Sequence, residues 1–286
     1  MSKLVPIRLM FTSPDYSKRT SIYMQQQLLE TLNNLFPLFI IGSIALFMTL
    51  EQRLPYFKHS AGRGRQRWRN VGMIAIGMLV NVALSGFIAM PGVWSEANTF
   101  GLLHRLWGQS LPAIIIGIFL IDLCNYTLHV TMHKVPALWR IHRVHHADAE
   151  LDASSGLRLH PFELTFLLVA LSMTMALLGV STTSSILYNA LALPWFLLNH
   201  SNMKYPGWFE RYGSLLMSTP NWHRVHHSSY QPETDSNFGC LFSLWDRLFG
   251  TAGKAEVEKI RFGLERFREP AEQTVSELLK MPFRKL

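Results

Sequence analysis

Between Pro161 and Asn199 the chain runs for 39 residues with a single charged side chain, Glu163. A helix crosses the hydrocarbon layer in roughly 20 apolar residues. One helix of this length would extend about 58 Å at 1.5 Å per residue, too far for a single crossing. The polar stretch GVSTTSS, Gly179 to Ser185, interrupts it near the middle. The expectation is a hairpin of two helices that returns the chain to the side it left. Three further blocks are nearly charge-free: Asn34 to Leu50, Val71 to Met90, and Leu111 to Leu128, the last holding only Asp122.

Charged residues make up 16% of the chain and apolar residues 49%, against about 25% charged in an average soluble domain. The blocks and this deficit together predict an all-α integral membrane bundle of about four to five hydrophobic helices. The segment 1–33 reads as an N-terminal tail without an apolar signal core, 34–251 as the membrane domain and 252–286 as a C-terminal cytoplasmic tail. Cys124 and Cys240 form neither a disulfide framework nor a CxxC motif.

The net charge of +8 serves topology here, and no nucleic acid is expected. The loop from Glu51 to Asn70 holds Arg53, Lys58, Arg63, Arg65, Arg67 and Arg69, whereas Pro91 to Ser110 holds only Arg105. Basic residues accumulate in cytoplasmic loops, so the first loop and, by parity, the chain end near His129 are expected in the cytoplasm. Parity also puts Lys3, Arg8, Lys18 and Arg19 outside, unless that tail lies on the membrane surface.

Of twelve histidines, His59 and His104 stand apart; the other ten are His129, His133, His142, His145, His146, His160, His200, His223, His226 and His227. His129 and His133 share a helix face at i, i+4. The pentads ending HRVHH at His146 and His227 each place three imidazoles on one side of a turn. At 12 histidines in 286 residues, a given pentad arises about 7 × 10⁻⁵ of the time, so two together point to metal. His160 precedes the hairpin and His200 follows it, so the fold-back makes them neighbours. All ten can then meet at one membrane surface. Ten candidates are too many for one ion and enough for two. ExxH and HExxH are both absent, leaving a nearly all-histidine two-metal site. Asp122, Asp148, Asp152, Asp235 and Asp246 are placed to orient the rings, a ligating imidazole usually donating its second N–H to a carboxylate or carbonyl. The loop acids among them read equally well as solvated.

The order HxxxH, HxxHH, HxxHH after hydrophobic spans resembles the fatty acid hydroxylase / sterol desaturase superfamily. So do LWRIHRVHH (Leu138 to His146), RLHP (Arg158 to Pro161), NHSN (Asn199 to Asn202), TPNWHRVHH (Thr219 to His227), TDSNFG (Thr234 to Gly239) and WDRLFGT (Trp245 to Thr251). The resemblance implies a four-helix membrane bundle with a histidine-rich cytoplasmic cap, two irons, O2 as oxidant, and hydroxylation or desaturation of an apolar lipid drawn from the bilayer. It assigns His129, His133, His142, His145, His146, His223, His226 and His227 as core ligands, with His200 and His160 as further ones. Val130 stands where many members carry Arg. With no fused cytochrome b5 domain in the sequence, electrons are expected from a separate ferredoxin or cytochrome b5 type protein, and the site is expected on the cytoplasmic face of a bacterial inner membrane. Two rivals are a transition-metal transporter, which would bring its ligands near the bilayer midplane, and a zinc-dependent lipid hydrolase, which would work without O2.

Overall fold

The computed structural model describes residues 38–58 and 61–285, with Thr31 and Leu35. The N-terminal cations Lys3, Arg8, Lys18 and Arg19, and His59, lie outside the described residues. The chain divides after Gly42, and the unit from Ser43 onward carries every element described below. Of the described residues 69% are helical, and they form no strand.

Residues 43–53 are helical. Beyond them come α1 (Arg63–Ala83), α2 (Ser85–Ala97), α3 (Leu102–Trp107), α4 (Leu111–Lys134), α5 (Pro136–His146), α6 (Pro161–Leu178), α7 (Thr182–His200), α8 (Pro220–His226), α9 (Gln231–Thr234), α10 (Leu244–Phe249) and α11 (Val275–Lys280). α4 and α6 are long and apolar enough to cross a membrane, and α1 through α3, bent by 59°, amount to one more crossing if taken together. This is an integral all-α membrane protein, as expected, and two or three of its described helices are by themselves long and apolar enough to span. α7 opens on TTSS and carries Asn189, which lowers its apolarity, and the block from Asn34 is only partly described.

The hairpin is present. α6 ends at Gly179 in the left-handed conformation, φ 69°, where glycine carries no Cβ penalty. Two residues later the Ser181 side chain accepts from Ser184 N and caps α7. The turn lies against Gly101, where a Cβ would come within 2.2 Å of Gly179 N. Leu103, Ile121, Val180, Tyr188 and Leu241 pack into one buried cluster, joining α3, α4, the hairpin turn and α7 to the loop before α10.

At the opposite end α4 and α7 finish and α1 and α6 start, and the cap closes over them. Three of the helices concerned, α5, α6 and α8, begin with Pro at N1, where the missing N–H costs nothing and φ is pre-set. α1 is held to the cap by buried polar contacts. Arg63 and Arg67 both donate from Nε to Asp152 Oδ2, at 3.0 and 2.8 Å, and both pair with Glu51. Two of the six cations counted toward the first loop are thus in buried ion pairs on α1. The segment after Thr251 folds back on the cap: Leu278 and Met281 pack with Met73, Val144, Ala147 and Phe267, and Arg143 donates to the carbonyls of Met281 and Arg284.

Candidate metal centre

Nine of the ten expected histidines converge beneath the cap, in two groups. His129, His133, His142, His146 and His226 form one, and His145, His200, His223 and His227 the other; within each, one ring nitrogen per residue lies within 4.8 Å of all the rest. α4 contributes His129 and His133, one helical turn apart. α5 and α8 each split their pentad between the groups, because HxxHH turns its last two rings apart. The rings of His145 and His146 stand perpendicular, as do those of His226 and His227. His146 stacks on His227 with centroids 4.6 Å apart, which sets the two groups side by side.

Hydrogen-bond partners fix the tautomer of five rings. Nδ1 of His129, His226 and His200 lies 2.8, 2.8 and 2.7 Å from the carbonyl oxygens of Phe238, Ser236 and Phe196. Nδ1 of His142 lies 2.7 Å from Glu163 Oε1, and Nδ1 of His133 lies 3.3 Å from Asp235 Oδ1. Carbonyls and carboxylates accept, so each Nδ1 carries the proton and each Nε2 turns a lone pair inward. His129 and His142 Nε2 then face each other across 3.1 Å with no proton between them. His200 Nε2 meets the Nε2 atoms of His145, His223 and His227 at 3.2, 3.0 and 3.2 Å. His133 Nε2 and His226 Nε2 are buried without a partner. Two facing lone pairs, as on His129 and His142, repel at this distance unless a cation sits between them. Nitrogens about 2.1 Å from an ion lie about 3.0 Å apart at a right angle and about 3.4 Å at a tetrahedral one. The donor set fits metal.

Burial keeps the cap rings neutral. It pushes His142 down to about 3. Burial first, then neighbouring imidazoles, push His145, His146, His223 and His227 well below the usual histidine range; His226 follows for the same reasons. Metal thus binds at neutral pH without first displacing a proton from these rings.

The tenth histidine is elsewhere. His160 caps α6, its Nδ1 accepting from Phe162 N at 3.1 Å while Nε2 donates to the Leu279 carbonyl at 3.2 Å. Both ring nitrogens are spent, and it lies in neither group.

Of the acids expected to orient the rings, Asp235 reaches one. Asp122 touches no histidine. Seven residues put it on the same side of α4 as His129 but about 10 Å along the axis, and it instead accepts from Tyr188 Oη, Trp245 Nε1 and the backbone N–H groups of Leu241 and Phe242. Asp148 accepts from Gln66, Asn70 and Ser155, and Asp152 binds Arg63 and Arg67. Asp246 acts one step removed, its Oδ1 accepting from Phe238 N at 2.7 Å and so fixing the loop whose carbonyl holds His129. Sequence reasoning missed Glu163 as a partner of His142. The signal was available: it is the lone charge of a 39-residue apolar run, and an acid in such a place is a functional candidate by default.

Residues 114–251 match the fatty acid hydroxylase family. This stretch is a fatty acid hydroxylase domain. It contains all nine converging histidines together with Glu163 and Asp235. The chain is 24% identical over 224 residues to the ornithine lipid hydroxylase OlsE of Rhizobium tropici, covering 76% of this chain and 66% of that protein. It is 30% identical over 156 residues to the human alkylglycerol monooxygenase, 50% of this chain and 31% of that one. To the human cholesterol 25-hydroxylase it is 27% identical over 157 residues, 51% and 53%. The matched stretches thus span between about a third and two thirds of these relatives' lengths. No solved structure matches the chain significantly.

Proposed function

We propose that this protein is a di-iron membrane oxygenase that hydroxylates a bilayer lipid, with O2 as oxidant and electrons from a separate ferredoxin or cytochrome b5 type protein. The observation that carries the reading is the pair of buried histidine groups whose ring nitrogens converge at one end of an apolar helical bundle. Imidazole suits iron among other metals. Five candidate ligands in one group exceed the four of a zinc site, and spacings of 3.0–3.2 Å favour the right angles of higher coordination. A transporter would carry its ligands near the midplane, whereas these lie at the ends of helices.

Iron with O2 supplies an oxidant strong enough to take hydrogen from an unactivated C–H bond. The chain supplies the rest. His129, His133, His142, His146 and His226 would hold one ion, and His145, His200, His223 and His227 the other. Glu163 and Asp235 offset part of the positive charge that neutral ligands leave, and the carbonyls of Phe196, Ser236 and Phe238 lock ring orientation. The relatives are named as hydroxylases or monooxygenases of an ornithine lipid, an alkylglycerol and cholesterol, which favours hydroxylation over desaturation and a lipid over a soluble substrate. Arg53, Lys58, Arg65 and Arg69, set against Arg105 alone, favour a cytoplasmic site, and the relative from Rhizobium tropici supports a bacterial inner membrane.

Metal analysis of the purified protein, then O2 consumption with membrane lipids and a reductant, tests the reading. About two irons per chain and an O2-dependent hydroxylated lipid are expected. Fewer than about one metal per chain, or the same product under strict anaerobiosis, sinks it.

A further inference from the structure

Among the described residues three non-histidine rings touch the nine-histidine cage: Phe238, Phe196 and Trp139. Phe238 is fully buried. Phe196 belongs to α7, on the bundle side, with its ring centroid 4.4 Å from that of His200. Trp139 belongs to the cap. It lies on α5 three and seven residues before His142 and His146, on the same helix face. Its centroid is 4.8 Å from that of His133, 5.4 Å from His146 and 6.2 Å from His142, so one indole packs against three rings of the five-histidine group.

Trp139 is only half-buried. Its other side faces a recess of about 350 Å³, lined also by Ser228, Ser229, Gln231, Leu264 and Arg266. No residue of the spanning helices lines it. The recess therefore opens on the cap, and the indole spans the distance between that opening and the cage.

We propose that Trp139 is the point at which electrons enter the histidine cage, and that the recess above it is where a one-electron carrier protein makes contact. This rests on the metal-centre reading above. Electron transfer falls steeply with distance, and a large π-system bridging recess and cage shortens the gap that a protein too large to enter must cover. In each encounter the carrier loses one electron and the centre gains one, with Trp139 left unchanged. Two encounters, with two protons and one O2, convert a C–H bond to C–OH and release one water. Electrons then arrive from the cap while the lipid arrives from the bundle, where Phe196 stands.

The test uses full-length, metal-loaded protein in detergent, with reduction of the oxidised centre followed by stopped-flow absorbance. The reductants are a reduced [2Fe–2S] ferredoxin, too large to pass the cap, and dithionite, small enough to use other routes. Trp139→Leu removes the relay; Trp139→Phe keeps an aromatic ring; Gln231→Trp fills the rim of the recess and touches no histidine. Trp139→Leu is expected to slow reduction by ferredoxin at least about tenfold, with partial rescue in Trp139→Phe. Gln231→Trp should slow it similarly, and none of the three should slow dithionite by more than about twofold. Undiminished ferredoxin rates in Trp139→Leu and Gln231→Trp at full metal content would overturn the proposal. A wild-type protein that holds no metal, or whose centre dithionite cannot reduce, refutes the metal-centre reading instead.

Discussion

His142 Nδ1 donates to Glu163 Oε1 over 2.7 Å, tying the first histidine of one HRVHH pentad to the first turn of the apolar hairpin. Glu163 is 1% exposed. A carboxylate so placed does two things for a metal-bound imidazole: it orients the ring, and it raises the donor strength of Nε2. Removal of such partners typically costs about 10–100-fold in metal affinity or activity. Glu163→Gln keeps an acceptor and loses the charge, so hydroxylation should fall about tenfold. Glu163→Leu loses both and should approach a hundredfold. Equal activity in Glu163→Leu and wild type, at matched metal content, would show the contact to be incidental.

The cage was legible in the sequence because histidine spacing on a helix fixes which rings share a face, and because a 39-residue apolar run has to fold back. Those two facts place His129, His133, both pentads and His200 together before any coordinates exist. Three things were hidden. His160 has the right position along the chain, yet helix α6 needs an N-cap and the Leu279 carbonyl needs a donor, and these claim both its nitrogens. Asp122 has the right helix face but the wrong height. The carbonyl partners of His129, His200 and His226 depend on how loops close, which no side-chain pattern reveals.

Acid should strip the cage and destabilise the fold together. The sign follows from the folded pKa values, which lie below the unfolded one: His142 sits at about 3 against an unfolded value near 6.5. Below about pH 6.5 the unfolded chain takes protons that the folded cage refuses, so stability falls as pH falls, until the folded value is reached. For His142 alone the loss at pH 5 is about 2 kcal/mol, and the other cap histidines act in the same direction. Metal content and melting temperature in detergent, measured from about pH 7.5 to 5, should decline together, starting near 6.5. A flat profile across that range would mean that these rings are not held neutral.

Asp122 predicts a stability effect in place of a ligand effect. Its Oδ1 accepts from Tyr188 Oη at 2.7 Å and Leu241 N at 3.2 Å; its Oδ2 accepts from Trp245 Nε1 at 2.8 Å and Phe242 N at 3.2 Å. One carboxylate thus joins α4, α7 and α10. Asp122→Asn turns one oxygen into an NH2 that confronts two donors, leaving buried groups unsatisfied at a cost of about 2–5 kcal/mol. Thermal unfolding should show the drop, while protein that remains folded keeps its full metal complement. Loss of metal without loss of stability would return Asp122 to the metal site.

Gly156 tests whether the two groups bind separately. It lies in a short 3-10 turn, Ala153–Leu157, pressed against the four-histidine group alone. A Cβ there would stand 2.9 Å from Phe196 Cε1 and 3.2 Å from His200 Nδ1. His200 is the residue whose Nε2 meets those of His145, His223 and His227, and its Nδ1 proton goes to the Phe196 carbonyl, so displacing either ring misaims the hub of that group. Overpacking of this size costs about 1–3 kcal/mol, which a folded bundle can tolerate. Gly156→Ala should therefore fold, keep the metal held by His129, His133, His142, His146 and His226, and bind the second weakly. Elemental analysis after dialysis should fall from about two irons per chain toward one. Two irons retained would show that the 3-10 turn yields without disturbing His200; simultaneous loss of both would show that the stacked His146 and His227 couple the groups into one cooperative site.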